Sequence, residues 1–384
     1  DLERIARAQA VVVAPGVPPG VPPLEAAERA GVAVFAETDI GFLALRGSRC
    51  IGVTGTNGKT TTTSLIGHLL TSAGVHAETA GNIGRPLSEV AMAESPPDWI
   101  ALELSSFQLH DAPHLRPSVG ILTNLTPNHL DRYATLDEYY GDKALLFRNA
   151  DADSVWISNA DDEAVRTMVA GVAGRHVRFS LDSPAEGWYD RSARQLRLGR
   201  MALLPRDSLP LLGDHNVANA LAAALAVREA GLPNGVVAAG LRTFRAIPHR
   251  MEPVRDVGGV LWVNDSKSTN VASTAVAVAA LDRPFVLLLG GRHKGEPYTG
   301  LAEALRACCR GIVAYGEAGD LVQRDLGGAL TVERAADFDA VLASARRLAQ
   351  PGDVVLLSPA CSSYDMFANY EERGARFRAA VEAM

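Results

Sequence analysis

Apolar runs of four to six residues recur along the chain. Each is closed by a glycine-, proline- or asparagine-bearing stretch and followed by a segment whose apolar positions repeat at helical spacing. The pattern predicts a strand over residues 11–17 running into a Pro-Gly turn, a helix over 24–30 and a strand over 32–35. After a break near residue 47 come a strand over 50–53, a glycine-bearing loop and a long helix over 60–73 that Gly74 terminates. Further strands are expected at 99–104, 119–122 and 155–158. The turn-rich stretch 245–253 marks a second break, beyond which strands at 260–263, 285–289, 312–315 and 354–357 alternate with Ala- and Arg-rich helices. Strands that alternate with helices pair in parallel, so the class is α/β and the central section is a doubly wound parallel sheet. Apart from the proline-rich stretch 15–23, no low-complexity tract or short repeat interrupts the pattern. The chain opens on a helix-like stretch without an initiating Met, so part of the first section is expected to lie outside it.

Composition narrows the function classes. A chain of 384 residues has room for two or three domains, and 47% hydrophobic with 21% charged residues is ordinary for a globular protein. A net charge of −7 and a pI near 5.8 leave no basic field for a nucleic-acid backbone, so no nucleic-acid partner is expected. No apolar run approaches the roughly 18 residues of a membrane span, and the opening lacks a signal-peptide pattern. The expected setting is therefore the cytoplasm, without a membrane partner; a monomer is expected separately. Cys50, Cys308, Cys309 and Cys361 form no CxxC pair or metal spacing, which fits reduced thiols. Lysine is the unusual residue: of 37 Lys and Arg only four are Lys, at 59, 143, 267 and 294. Where Arg supplies the routine charge, each remaining amine is a candidate for work that guanidinium cannot do.

The central section contains such work. A strand, then Gly55-Thr56-Asn57-Gly58-Lys59-Thr60-Thr61, then a helix is the arrangement in which backbone N–H groups and a helix N-terminus cradle phosphate. Lys59 would reach the β- and γ-phosphates and Thr60 would offer its hydroxyl to Mg²⁺. The loop is a variant, since Val53 stands where the usual spacing has its first glycine. Glu103 ends a buried strand, where a carboxylate is costly unless it meets a cation, and Mg²⁺ is the natural partner. His129 reads as a metal ligand or a satisfied loop histidine, Lys143 as a snorkelling helix lysine, and Asn216 and Asn219 as polar residues three apart on one face of a helix start.

TGTNGKTT resembles the ATP loop of the Mur ligases and the related folylpolyglutamate synthases. GNIG (81–84), ELSSFQL (103–109), TPNHLDRY (126–133), GDHNVANA (213–220), IPHRME (247–252), NDSKSTN (264–270) and SPACSSYDMF (358–367) extend the likeness in order along nearly the whole chain, and they look most like the members that add D-glutamate. The resemblance implies three domains. These are a partial Rossmann-like N-terminal domain for a uridine nucleotide (1–46), a central ATP-binding domain (47–246) and a Rossmann-like C-terminal domain for the incoming amino acid (247–384). It also implies an ATP-dependent amide ligase of peptidoglycan precursor synthesis, joining D-glutamate to UDP-N-acetylmuramoyl-L-alanine through an acyl phosphate.

Site residues follow from the same resemblance. Two Mg²⁺ are implied, held by Thr60, Glu103, His129 and Lys143, the last carbamylated by CO₂ into an anionic ligand. Asn219 would contact adenine and Asn216 nearby nucleotide groups, Asp265 the ribose, and Arg250 and Lys267 the phosphates, on closure of the third domain over the second. Lys294 would meet the side-chain carboxylate of D-glutamate, with Thr269, Ser363, Tyr364 and Tyr370 shaping the pocket. Asn82 and Ser105 would hold the muramoyl-alanine end. Another amide ligase of the family, or an ATP-binding regulator without acyl transfer, is the competing reading.

Overall fold

The computed structural model describes residues 2–14, 16–17, 20–127, 133–281 and 283–384. The chain divides into two compact units, residues 1–210 with 215–244 and residues 211–214 with 245–384. Residues 1–46 lie in the first unit.

There, β1 (Ala10–Val13) and β2 (Ala33–Ala36) form a two-stranded parallel sheet. β1 is shorter than the expected 11–17 strand because the chain turns at Ala14, whose carbonyl accepts the Val17 N–H at 3.1 Å. The main sheet of this unit is built from β3 (Arg49–Thr54), β4 (Ala77–Gly81), β5 (Trp99–Glu103), β6 (Val119–Leu122), β7 (Val155–Asn159), β8 (Arg175–Ser180), β9 (Gly187–Asp190), β10 (Gln195–Leu198) and β11 (Met201–Pro205). Their order is β11-β10-β9-β8-β7-β6-β3-β5-β4, parallel from β4 through β9 and antiparallel at the β9, β10, β11 end. β5 and β6 are buried along their whole lengths, as central parallel strands covered on both faces must be. The strands expected at 50–53, 99–104, 119–122 and 155–158 correspond to β3, β5, β6 and β7. The hydrophobic pattern does not predict the extension 175–205, whose strands are short and interleaved with Arg and Gly.

The second unit carries β12 (Glu252–Val257), β13 (Val260–Asn264), β14 (Phe285–Gly290), β15 (Cys309–Tyr315), β16 (Val332–Arg334) and β17 (Val354–Leu357), in the order β12-β13-β17-β14-β15-β16. All neighbours are parallel except β12, which pairs antiparallel with β13 at the edge, where Pro253 costs no interior ladder bond. One face packs Leu287, Leu289, Ile312 and Leu356 under Leu301 and Leu305; the other packs Trp262, Val286, Leu288 and Val355 under Phe338 and Phe377. Among the described residues no helix is long and apolar enough to cross a membrane.

Candidate active site

In the first unit, Val53 is fully buried in β3, in register with Glu103 and Ile121, so the loop proper begins only at Gly55. Gly55 has φ +141° and a Cβ there would overlap Thr123 Oγ1; Gly58 has φ +82° and a Cβ would overlap Asn219 Oδ1. Both positions therefore need glycine. Gly58 caps the helix Lys59–Ser72, which puts the helix N-terminus and its first-turn amides at the loop. The chain after β6 holds the loop in place. The Thr56 N–H donates to the Asn124 carbonyl and the Asn57 N–H to Asn124 Oδ1, both at 2.9 Å, while Thr123 Oγ1 donates to the Asn57 carbonyl at 2.7 Å.

Two amines converge on one carbonyl. Lys59 Nζ donates to the Gly55 and Thr56 carbonyls at 3.0 and 2.8 Å, and Lys143 Nζ donates to the Gly55 carbonyl at 2.7 Å. Lys143, on the helix Leu136–Ala144, is not a snorkelling lysine: it is 1% exposed and stands 4.5 Å from the centre of the Tyr139 ring. Burial, reinforced by the charge of Lys59, pushes its amine down to about 6.

Glu103 is 2% exposed at the end of β5, beside the strand that carries the loop. Asn82 Nδ2 donates to its Oε1 at 3.0 Å, but its Oε2 is buried without a hydrogen-bond partner among the described residues. An orphaned buried carboxylate oxygen is unfavourable unless a bound group satisfies it, so the donor set fits a hard cation. Among the described residues no group of three or more His, Cys, Asp or Glu gathers to hold a metal. The further donors would be the hydroxyl of Thr60, part-buried in the first helical turn, and a modified Lys143. His129 lies outside the described residues.

Other expected residues are engaged differently. Asn219 Oδ1 accepts from Thr62 Oγ1 at 3.2 Å and its Nδ2 donates to Asn216 Oδ1 at 3.1 Å, with both asparagines buried behind Gly58. They brace the loop from beneath. Ser105 closes a capping box, its hydroxyl accepting the Gln108 N–H and donating to Gln108 Oε1 at 2.8 Å. Beside that cap opens a cavity of about 440 Å³ whose lining includes Val13, Val34, Phe107, His110, Tyr133 and Asp142. Asp142 accepts from Tyr133 Oη and pairs with His110 Nδ1, each at 2.8 Å, and the hydrogen bond to Asp142 raises the His110 imidazole above its ordinary value.

The second unit has its own glycine turn. Gly290 has φ +154° at the end of β14, where a Cβ would overlap the Tyr315 carbonyl oxygen, and the loop that follows carries Lys294. Lys294 is exposed, and its Nζ donates to Thr269 Oγ1 at 3.2 Å, so these two expected residues meet. Ser363, 3% exposed, follows β17 on a segment tied to the same loop by the Arg292 N–H to Ser362 carbonyl bond of 2.8 Å. Tyr370 opens the helix Tyr370–Glu382, with Lys267 Nζ 5.7 Å from its ring centre. Tyr364 is 64% exposed, so this side chain faces out instead of walling a pocket. Asp265 is buried; it accepts the Met251 N–H at 3.1 Å and the Ser358 hydroxyl at 2.8 Å, and burial pushes its carboxyl up to about 6. It locks the turn 249–251, where His249 and Met251 take φ +63° and +42°. Arg250, in that turn, has a buried Nε with no hydrogen-bond partner among the described residues.

Sequence reasoning overlooks three residues that organise these sites. Asn124 and Tyr139 shape the phosphate loop from neighbouring segments. Arg373, fully buried, donates to the carbonyls of Ser266 and Cys361 and to Ser266 Oγ. Only the unusual position of an Arg amid a helix's core-facing residues hints at the last.

Known proteins resemble the chain along its whole length. Residues 53–227 match the Mur ligase middle domain and residues 249–361 the Mur ligase glutamate ligase domain. The UDP-N-acetylmuramoylalanine–D-glutamate ligase of Salinibacter ruber is 42% identical over 98% of this chain and 85% of its own length. The enzyme of that name from Myxococcus xanthus is 42% identical over 97% of this chain and 84% of its own length. Among solved structures, a UDP-N-acetylmuramoyl-L-alanyl-D-glutamate–2,6-diaminopimelate ligase shares the fold with a TM-score of 0.66 at 19% identity, covering 98% of this chain and 93% of that one. The MurF ligase of Thermotoga maritima in complex with ADP does so with a TM-score of 0.64 at 17% identity, covering 99% and 97%. On these grounds the chain belongs to the Mur ligase family of ATP-dependent amide ligases.

Proposed function

We propose that this chain joins D-glutamate to UDP-N-acetylmuramoyl-L-alanine in peptidoglycan precursor synthesis. The observation that carries the reading is the pairing of the braced loop 55–60 with an orphaned Glu103 oxygen, in a chain 42% identical to ligases of that name. A carboxylate does not condense with an amine in water until one of its oxygens becomes part of a leaving group. In the first step a carboxylate oxygen of the alanyl donor attacks the γ-phosphorus of ATP, the bond to the β–γ bridging oxygen breaks, and ADP leaves. In the second the amine of D-glutamate attacks the acyl carbon, expels phosphate and gives up a proton. Positioning and charge neutralisation are the main contributions of the protein.

Gly55, Thr56, Asn57, Gly58, Lys59, Thr60 and Thr61 bind the phosphates, Lys59 as a point charge. Mg²⁺ held by Thr60, Glu103, His129 and Lys143 would supply neutralisation of phosphate charge. Lys143 serves there as a carbamate: its buried, unprotonated amine adds to CO₂ with loss of a proton, and the resulting anion offers oxygen. Asn216 and Asn219 support the nucleotide site from behind the loop, and Arg250, Lys267 and Asp265 are the second unit's candidates for contact with the nucleotide. Asn82 and Ser105 border the muramoyl-alanine end, and Lys294, Thr269, Ser363 and Tyr370 surround the amino acid, with Tyr364 facing out and taking no part.

Phosphate release measured with ATP, the uridine-linked donor and D-glutamate, each omitted in turn, tests the reading. Release should require all three, and oxygen label from the donor carboxylate should appear in the liberated phosphate. Release without D-glutamate, or phosphate free of label, would overturn it.

A further inference from the structure

In the second unit a hydrogen-bonded chain of side chains that the reaction scheme does not use joins the loop 290–295 to the segment 358–363. His293 Nδ1 lies 3.0 Å from Tyr298 Oη, and Tyr298 Oη lies 2.8 Å from Cys361 Sγ. Tyr298 is 1% exposed and Cys361 is fully buried. Burial pushes the Cys361 thiol up to about 11, so it keeps its proton. The order thiol S–H to Oη, then Oη–H to Nδ1, satisfies all three groups with one proton each. The hydrogen-bonded run is anchored at its centre and at one end. The Tyr298 N–H donates to Asp325 Oδ2 at 3.1 Å, and the Cys361 carbonyl accepts from both terminal nitrogens of buried Arg373 at 3.2 Å. His293 immediately precedes Lys294, and Cys361 stands two residues before Ser363.

We propose that Tyr298 is a positioning residue for the amino-acid pocket: its hydroxyl ties the lysine-bearing loop to the serine-bearing segment and sets the span between Lys294 and Ser363. That span decides the length of the side-chain carboxylate the pocket accepts. The inference rests on the reading that Lys294 and Ser363 receive the incoming amino acid. A phenyl ring at 298 would fill nearly the same volume but leave the imidazole and the thiol without their shared partner, so the tether is lost while the packing stays.

Steady-state kinetics of the full chain carrying Tyr298→Phe test this. The KM for D-glutamate should rise at least about tenfold, the scale of the two buried hydrogen bonds the hydroxyl makes, with kcat and the KM for ATP within twofold. Discrimination between D-glutamate and its homologues one carbon shorter or longer should fall by a similar factor. Cys361→Ser keeps a donor at the thiol position and should remain close to wild type, whereas Cys361→Ala should reproduce Tyr298→Phe. An unchanged KM and selectivity, or equal changes for every substrate together with a lower Tm, overturns the proposal. Lys294→Met separates the two levels. If it leaves the D-glutamate KM unchanged, the pocket reading itself fails; if it raises that KM while Tyr298→Phe does not, only the tether fails.

Discussion

Gly55 and Gly290 each end a buried parallel strand at strongly positive φ, +141° and +154°, and each begins a loop with a lysine four residues on. From there the two diverge. The first loop runs straight into the helix Lys59–Ser72, and its lysine folds back onto the loop's own carbonyls. The second leads into no helix until the short turn Tyr298–Leu301, and its exposed lysine reaches Thr269 on another segment. A triphosphate spreads its charge over many oxygens and is suited by a ring of amides at a helix N-terminus. A single side-chain carboxylate needs one point charge at the right distance, which a lysine stretched between loops supplies. On the proposed reading, the same strand-and-glycine opening thus serves two anions of different shape.

The two lysines offer the strongest way to break this comparison. Lys59→Met should lower kcat by about a thousandfold or more, because its amine acts where charge develops during phosphoryl transfer. Lys294→Met should raise the KM for D-glutamate by roughly ten- to a hundredfold and leave kcat within a few-fold, since it removes ground-state binding of a group remote from the bond being made. Losses of equal kind at both positions would show that the loops do not divide the work as their geometry suggests.

The glycines sharpen it at the level of stability. A Cβ at Gly290 would collide with the Tyr315 carbonyl, which is fixed in the sheet, whereas at Gly55 it would collide with the Thr123 hydroxyl, which can rotate away. Gly290→Ala should therefore destabilise the second unit by about 3 kcal/mol, strain and overlap together, while Gly55→Ala costs less stability and shows mainly as weaker ATP use. Urea unfolding followed by fluorotryptophan resonances measures this, because Trp262 is the one tryptophan of the four that lies beyond residue 245. Equal loss in both units would contradict the distinction.

What could be read from the sequence follows the same physics. Buried parallel strands are short apolar runs, so β3, β5, β6, β7, β13, β14, β15 and β17 are visible in the pattern, and the phosphate loop is visible because helix, strand and glycine spacing are local. β8 to β11 are not, since their alternation is brief and Arg-rich, and β4 has too few branched residues to register. Within the sites, Glu103 could be singled out because a carboxylate closing an apolar strand is conspicuous. The commitments of Asn219 to Thr62 and of Asp265 to Ser358 could not, because those partners lie 157 and 93 residues away. Polarity along the chain marks such residues as candidates; only packing decides whether they brace a site or face its ligand.

A buried ionisable group stands near each glycine turn, and the contrast between them yields the smallest effect. Lys143 has a carbonyl and an aromatic ring for company, whereas Asp265, one strand removed from β14 across β17, is bonded at both oxygens. Bonding does not cancel the cost of burial, since the Asp265 carboxyl is still pushed up to about 6 from 3.8. Its folded value exceeds its unfolded one, so this group contributes stability fully below about pH 4, and that contribution is lost as the pH rises through 6. Asp265→Asn, neutral at every pH, should remove the slope. Between pH 4 and pH 7 the second unit of the variant should gain about 2 kcal/mol on wild type, read from the Trp262 resonance in urea. Parallel stability curves for the two proteins would mean that the Ser358 and Met251 bonds fully offset desolvation, and that the carboxylate behind the second loop is as comfortable charged as one in water.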